Sequence, residues 1–266
     1  MSLEIVVMVK QVPDSQEVVI DPVTMNLNRS LTRNVTNRAD ENALEAALQL
    51  RDKVGGRVTI VSMGPPQTES TMIECMARGA DRAILVSDRF FGGADTYPTG
   101  LTVASAISKL EKFDVIFAGE ESSDSSTGHV GPGVAEFLGI EQATYVSKVD
   151  YEDGLIIAER ELEDGTEVVK VPTPVLITVL LNANIPRRQT LRRKIDAIRR
   201  GIEVWNLEKL GMPPEWVGVR GSPTIVRKMR SIKEKERAAK KIELDQIPEL
   251  VKELYEKGIL KLEESQ

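Results

Sequence analysis

Two rhythms alternate along the first half of the chain. Short apolar runs, Leu3 to Lys10, Arg57 to Met63, Ala83 to Val86 and Asp114 to Gly119, are rich in β-branched residues and read as strands. Between them lie segments whose apolar residues recur at helical spacing. A helix opens at Asn37 with Leu44, Ala47 and Leu48 on one face, and Thr68 to Arg78 turns Met72, Cys75 and Met76 inward. A third helix follows Tyr97-Pro98 with Val103, Ile107 and Leu110, and a fourth spans Pro132 to Leu138. Strand followed by helix, four times over, predicts an α/β fold with an open, mostly parallel, doubly wound sheet. The first strand, apolar without interruption from Ile5 to Val9, is expected at its centre, buried on both faces.

The rhythm then changes. Thr144 to Tyr151, Gly154 to Leu162, Glu167 to Val171 and Val175 to Leu181 read as antiparallel strands added to the sheet, with Glu163-Asp164-Gly165 as a turn. Earlier, Val18 to Ile20 and Leu27 to Leu31 around Asp21-Pro22 suggest a hairpin. The segment 185–200 holds six arginines and a lysine against one aspartate. A helix from Leu191 with Leu191, Ile195 and Ile198 inward would account for it as a solvated basic face; a local reversal of field can equally steer an acidic partner. Beyond it regular elements thin out. The expected division is a main domain of residues 1–201 and an arm of residues 202–266, ending in a helix that Asp245 caps and Ile247, Leu250, Val251 and Leu254 stripe. The arm packs on a partner subunit or folds back on its own domain.

Composition narrows the classes. The 266 residues are 41% hydrophobic and 29% charged with a formal net charge of -6, an ordinary core and a poor match for a general nucleic-acid binder. One cysteine, Cys75, and one histidine, His129, leave no intrachain disulfide, no multi-histidine metal site and no thiolate cluster. The sequence has neither an apolar run long enough for a bilayer nor a signal-peptide pattern, so a cytoplasmic location is expected.

The candidate chemistry sits after the fourth strand, in Gly119-Glu-Glu-Ser-Ser-Asp124-Ser-Ser-Thr127-Gly-His129-Val-Gly131-Pro132. Loops at the carboxyl ends of parallel strands carry unpaired amides toward ligands, and small hydroxyl residues let a phosphate approach. Glu120, Glu121 and Asp124 oppose a bare polyphosphate and suit ribose hydroxyls or an adenine amine, which points to a nucleotide read through its sugar and base. The plainer reading is a solvated loop capped by Ser126 or Thr127. No Gly-x-Gly-x-x-Gly follows the first strand and no Gly-x-x-x-x-Gly-Lys-Ser/Thr occurs, so other loops must hold such a ligand. Asn37 as N-cap with Asp40 and Glu41 in the first turn reads as ordinary helix-dipole chemistry, or as a second grip on the nucleotide.

Several motifs in fixed order resemble the β subunit of electron-transfer flavoproteins: Val9-Lys10-Gln11-Val12-Pro13-Asp14, Asn37-x-x-Asp40-Glu41-x-Ala43-Leu44-Glu45-x-Ala47, Val61-Ser62-Met63-Gly64-Pro65, Gly79-Ala80-Asp81-Arg82, the 119–132 loop, and Ala158-x-Arg160-x-x-Glu163-Asp164-Gly165-x-Glu167-x-Val169 through Pro174-x-Leu176-Ile177-Thr178. The resemblance implies an adenine nucleotide α-hydrolase-like domain that pairs with an α subunit and carries electrons. Carried over by motif, its cofactor contacts are Met8, Lys10, Asn37, Arg38, Ala39, Asp40, Met63, Gly119, Glu120, Ser122, Ser123, Asp124, Ser125, Ser126, Thr127, Gly128, His129, Val130 and Gly131. Conventional members hold AMP there, and electron-bifurcating members hold an FAD that takes hydride from NADH while a second FAD is bound mainly by the α subunit.

The short form Asp124-Ser-Ser-Thr127-Gly-His129-Val130-Gly131-Pro132 resembles the bifurcating loop, with His129 where Gln is usual, which places a titratable group beside the cofactor. Bifurcation implies ferredoxin as the low-potential acceptor and a quinone reductase or acyl-CoA dehydrogenase as the other partner. Thr190 and Leu191 match the family's docking loop, whose usual motif is altered here to Pro186-Arg187-Arg188-Gln189-Thr190-Leu191. A stand-alone adenine-nucleotide sensor on the same sheet is the reading of another class; an amidotransferring or pyrophosphatase enzyme needs a Ser-Gly-Gly-x-Asp-Ser loop that Gln11 to Asp14 does not supply.

Overall fold

A computed structural model describes residues 2–14, 33–225 and 241–260. The chain divides into two units, residues 1–225 and 226–266. In the first, β1 (Leu3–Met8), β4 (Gly56–Met63), β5 (Arg82–Val86) and β6 (Val115–Gly119) alternate with α1 (Arg38–Val54), α2 (Glu69–Arg78), α3 (Thr96–Ile107) and α4 (Val130–Leu138), as the apolar rhythm predicts. A short antiparallel pair, β2 (Gln11–Pro13) and β3 (Asn34–Thr36), leads into α1. The hairpin read from Val18 to Leu31 lies outside the described residues.

The second half supplies β7 (Glu141–Glu152), β8 (Leu155–Leu162), β9 (Gly165–Pro172), β10 (Val175–Val179), α5 (Leu191–Arg200), β11 (Glu203–Trp205) and the single-turn α6 (Leu207–Leu210) and α7 (Gly218–Gly221). Among the described residues the main sheet runs β11-β5-β4-β1-β6-β10-β7-β8-β9. β1 lies at the centre of its parallel part, between β4 and β6, as its unbroken apolar run requires.

Two expectations are corrected here. β10 was expected with the antiparallel additions but is parallel to β6 on one side and β7 on the other; only β7 with β8 and β8 with β9 pair antiparallel. All five residues of β10 are buried, because helices cover both of its faces. The first unit also runs past residue 201. β11 adds a parallel edge strand beside β5, and Trp205, Leu207, Leu210 and Val217 are buried in its core.

The core forms two layers. Alternate residues of β1, Ile5 and Val7, face α1 and α2 through Leu44, Leu48, Met72 and Met76. The intervening Val6 and Met8 face α3 and α4 through Val103, Ile107 and Val134. Cys75 is a buried member of the first layer, and burial pushes its thiol up to about 12, so it is an inert small hydrophobe. In the second unit α8 (Ile247–Glu256) begins one residue after Gln246, whose side chain accepts the Glu243 amide, so Asp245 is not its cap. No helix among the described residues is long and apolar enough to cross a membrane.

Candidate functional site

Parallel pairing puts the ends of β1, β4, β6 and β10 at one edge of the sheet, where Met8, Lys10, Met63 and Gly119 emerge. The loop from Glu120 to His129 leaves this edge and returns through α4, which starts at Val130, two residues before the expected Pro132. Its N-cap is His129 without a side-chain bond; Ser126 instead donates to the Ser122 carbonyl at 3.4 Å, so the reading with Ser126 or Thr127 as cap does not hold. Pro132 carries no amide proton and the Gly133 amide goes to the His129 carbonyl at 2.9 Å, which leaves the amides of Val130 and Gly131 outside the helical ladder.

Lys10 organises the loop. Its ammonium donates to Asp124 Oδ1 at 2.6 Å, to Ser122 Oγ at 3.1 Å and to Ser125 Oγ at 3.3 Å. Partial burial works against the Asp124 charge, but Lys10 and the Ser122 hydroxyl hold its carboxyl below the usual range. Both partners remain over a third or close to a third exposed, so the pair itself stabilises by no more than about 1 kcal/mol.

The first turn of α1 holds the same loop from beneath. Asn37 sits at the N-cap position as expected, yet its side chain caps no amide of the helix; its Nδ2 donates to the Glu121 carbonyl at 2.8 Å and its Oδ1 accepts the Ser123 amide at 3.2 Å. Asp40, weighed as helix-dipole chemistry or a grip on the nucleotide, is 7% exposed and accepts the amides of Lys10 at 2.7 Å and Gly119 at 3.1 Å. Burial pushes its carboxyl up to about 7, against the pull of those two amides, Asn37 and the Lys10 charge. Gly119 is required here, since a Cβ would lie 2.5 Å from Asp40 Oδ1 and 2.7 Å from Ala39. Gly131 lets α4 close on β10 in the same way, a Cβ meeting Thr178 Cγ2 at 2.9 Å.

The structure thus joins Lys10, Asn37, Asp40, Gly119, Ser122, Ser123, Asp124 and Ser125 by direct hydrogen bonds, with Ala39 packed under Gly119. Met8 and Met63 share the edge without polar contacts of their own, Thr127 and His129 are exposed on the loop, and Arg38 is exposed beside it. Glu120 Oε1 accepts the Leu181 amide at 2.8 Å. One residue was missed by sequence reasoning. Tyr145 sits at positive φ (57°) at an irregularity of β7, its amide held by Thr178 Oγ1 at 3.0 Å, with its phenol 4.0 Å from where a Gly128 Cβ would stand. Within an alternating strand nothing marked it. Glu120, expected at the ligand, also ties the loop to the segment leading to α5.

Thr190 and Leu191 lie apart from this edge, at the start of α5. Thr190 Oγ1 caps the helix through the Arg193 amide at 3.3 Å. The stripe expected to face inward faces solvent: Leu191 is 76% exposed, Ile195 41% and Ile198 57%, while Ala197 is buried. Arg193 and Arg200 explain the roll, donating to the carbonyls of Arg78 at 3.0 Å and Asp81 at 2.8 Å, so that α5 meets α2 through its small face. The preceding segment is tied to α1 by Asn184 with Asn42 and by Arg187 with Glu45 and Asp52.

A mostly parallel sheet whose carboxyl edge carries a hydroxyl-rich loop clamped by a lysine belongs to the class of α/β proteins that receive ligands at that edge. Within that class the comparisons are specific: an electron transfer flavoprotein domain matches residues 24–209. The chain is 45% identical over 226 residues to the electron transfer flavoprotein subunit beta of Clostridium acetobutylicum, covering 85% of this chain and 87% of that one. It is 43% identical over 225 residues to the caffeyl-CoA reductase-Etf complex subunit CarD of Acetobacterium woodii (84% and 86%), and 40% identical over 249 residues to Protein FixA of Sinorhizobium fredii (91% and 87%). The chain belongs to the electron transfer flavoprotein family, alongside its β subunits.

Proposed function

We propose that this chain is the β subunit of a heterodimeric, electron-bifurcating electron transfer flavoprotein, with FAD held between the ends of β1, β4 and β6 and the 120–131 loop. The observation that carries this reading is the short loop Asp124 to Pro132, drawn onto Lys10 and running directly into α4. The donor set fits an adenine dinucleotide. The Lys10 ammonium, the hydroxyls of Ser122, Ser123, Ser125, Ser126 and Thr127 and the amides of Val130 and Gly131 suit phosphate and ribose oxygens, while Asp124 supplies an acceptor.

When bound, the flavin would supply hydride acceptance from NADH and separate delivery of its two electrons, one to a low-potential acceptor such as ferredoxin and one through the α-subunit FAD toward a quinone reductase or acyl-CoA dehydrogenase. This chain's residues bind and orient. Lys10 balances phosphate charge, the loop hydroxyls fix the sugar and phosphates, and Met8 and Met63 give the edge an apolar floor. The exposed Leu191, Ile195 and Ile198 within their arginine-rich surround form the face for the partner dehydrogenase. The second unit, in which α8 exposes Ile247, Val251 and Tyr255, packs on the α subunit, and the complex works in the cytoplasm.

The test is nucleotide stoichiometry. The heterodimer, co-expressed and denatured to release its ligands, is expected to yield two FAD; one FAD with one AMP would identify a conventional member. A chain that stays monomeric or homodimeric beside its α subunit would overturn the reading in favour of a nucleotide sensor.

A further inference from the structure

We infer that Asp40 is a positioning residue: its carboxylate, bonded to the main chain just past β1 and at the last residue of β6, sets the separation of the two strand ends from which the nucleotide site is built, and acts on the ligand only through them. The inference rests on the nucleotide reading above for its functional meaning and on geometry for its substance.

Both Asp40 oxygens are already committed, Oδ2 to the Lys10 amide at 2.7 Å and Oδ1 to the Gly119 amide at 3.1 Å. The residue is 7% exposed, which leaves little surface for a ligand. β1 and β6 are paired up to Val7 and Phe117; past that register β1 keeps only β4, through Met8, and β6 keeps only β10, through Gly119. The next main-chain donors, Lys10 and Gly119, no longer meet a strand partner across this gap, and Asp40 takes both. Gly119 and Asp40 are matched, because any side chain at 119 would occupy the place of Oδ1.

The consequence reaches the loop from two sides. The main chain of Lys10 is held by Asp40 while its ammonium draws in Asp124, Ser122 and Ser125. The main chain of Gly119 is where the loop departs, and Asn37, one turn earlier on α1, fixes Glu121 and Ser123 just beyond it. Side chains three apart on one helix face thus hold four main-chain groups of the site. A buried amide that loses its acceptor pulls the local structure toward solvent, so the loop should loosen where Asp40 is lost.

The test uses the αβ heterodimer, stripped of nucleotide, as wild type, Asp40→Asn and Asp40→Ala. In the wild type, hydrogen exchange should show the Lys10 and Gly119 amides protected like the sheet; exchange at the rate of the exposed loop tip would overturn the inference without any variant. Asp40→Asn keeps the shape but turns one amide toward another donor. It should raise exchange in peptides spanning 8–12 and 117–125 and weaken AMP, 2′-deoxy-AMP and IMP by the same factor, about tenfold for one charge-assisted hydrogen bond.

A loss confined to AMP and absent for either analogue would show direct contact of Asp40 with the ribose or the adenine amine and overturn the inference. Unchanged exchange and affinity in Asp40→Asn would do the same. A wild-type complex that binds none of the three nucleotides refutes the nucleotide reading alone, and the exchange measurements still decide the role of Asp40.

Discussion

Helices α1 and α5 begin from the same kind of sequence, apolar residues at helical spacing on an otherwise charged background, and end in opposite orientations. α1 lays Ala43, Leu44, Ala47 and Leu48 on the sheet and buries them. α5 buries Ala197 and turns Leu191, Ile195 and Ile198 outward. The difference lies in what each helix can reach. α1 lies against β1, β4 and β6 of the central sheet and has a ready apolar surface to cover. α5 arrives when that surface is already taken by α2, and its arginines find the carbonyls of Arg78 and Asp81 before its leucine and isoleucines find a core. An apolar stripe left in water beside basic residues is the surface proposed above for a partner.

The sharpest way to break the comparison is to truncate each stripe. Leu48→Ala, wholly buried on α1, should cost about 2–5 kcal/mol in denaturant unfolding of the complex. An equal cost for Ile195→Ala would erase the contrast.

The next effect concerns the start of α1. Asp40 titrates at about 7 in the fold against 3.8 as a free side chain, so the folded form holds its proton longer. The stability it contributes is full below 3.8 and is lost as the pH rises through about 7, where the charge must be buried. Between those values the wild type should lose stability with rising pH on account of this group, and Asp40→Asn should flatten that slope; parallel profiles for the two proteins would contradict it.

Gly119→Ala places a methyl against Asp40 and Ala39 and should cost about 1–3 kcal/mol by overpacking, together with a loss of nucleotide retention, read by thermal melting and ligand release. Smallest in stability is the α5 pair. Leu191→Ala and Ile195→Ala should change unfolding by less than about 0.5 kcal/mol, yet raise the KM for the partner dehydrogenase. Unaltered partner kinetics would remove the functional half of the comparison.

Much of this was legible in the sequence because burial on both faces leaves a continuous apolar run. That made β1, β4, β5 and β6 readable, and the hydroxyl-rich turn after β6 stood out against them. β10 was equally apolar, but a run of that kind says nothing about the direction of its neighbours, and its place between β6 and β7 emerges only when the sheet assembles. Periodicity gave α5 its helix and not its facing, since a stripe has no label for core or partner. Asp40 stayed open between helix dipole and nucleotide grip because an acid in a first turn ordinarily serves the dipole; its burial depends on Lys10 and Gly119, 30 and 79 positions away. Tyr145 and the Glu120 contact with Leu181 arise from tertiary approach alone.

The central claim is that the edge closed by Lys10 and the 120–131 loop holds a flavin nucleotide when the β chain is paired with its α subunit. Crystallographic density in the assembled heterodimer tests it most directly. The expected density is FAD lying across the ends of β1, β4 and β6 with the loop hydroxyls and Lys10 on its phosphates and sugar. A loop still locked onto Lys10 through Asp124, with protein side chains filling the edge and no nucleotide beneath it, would contradict it.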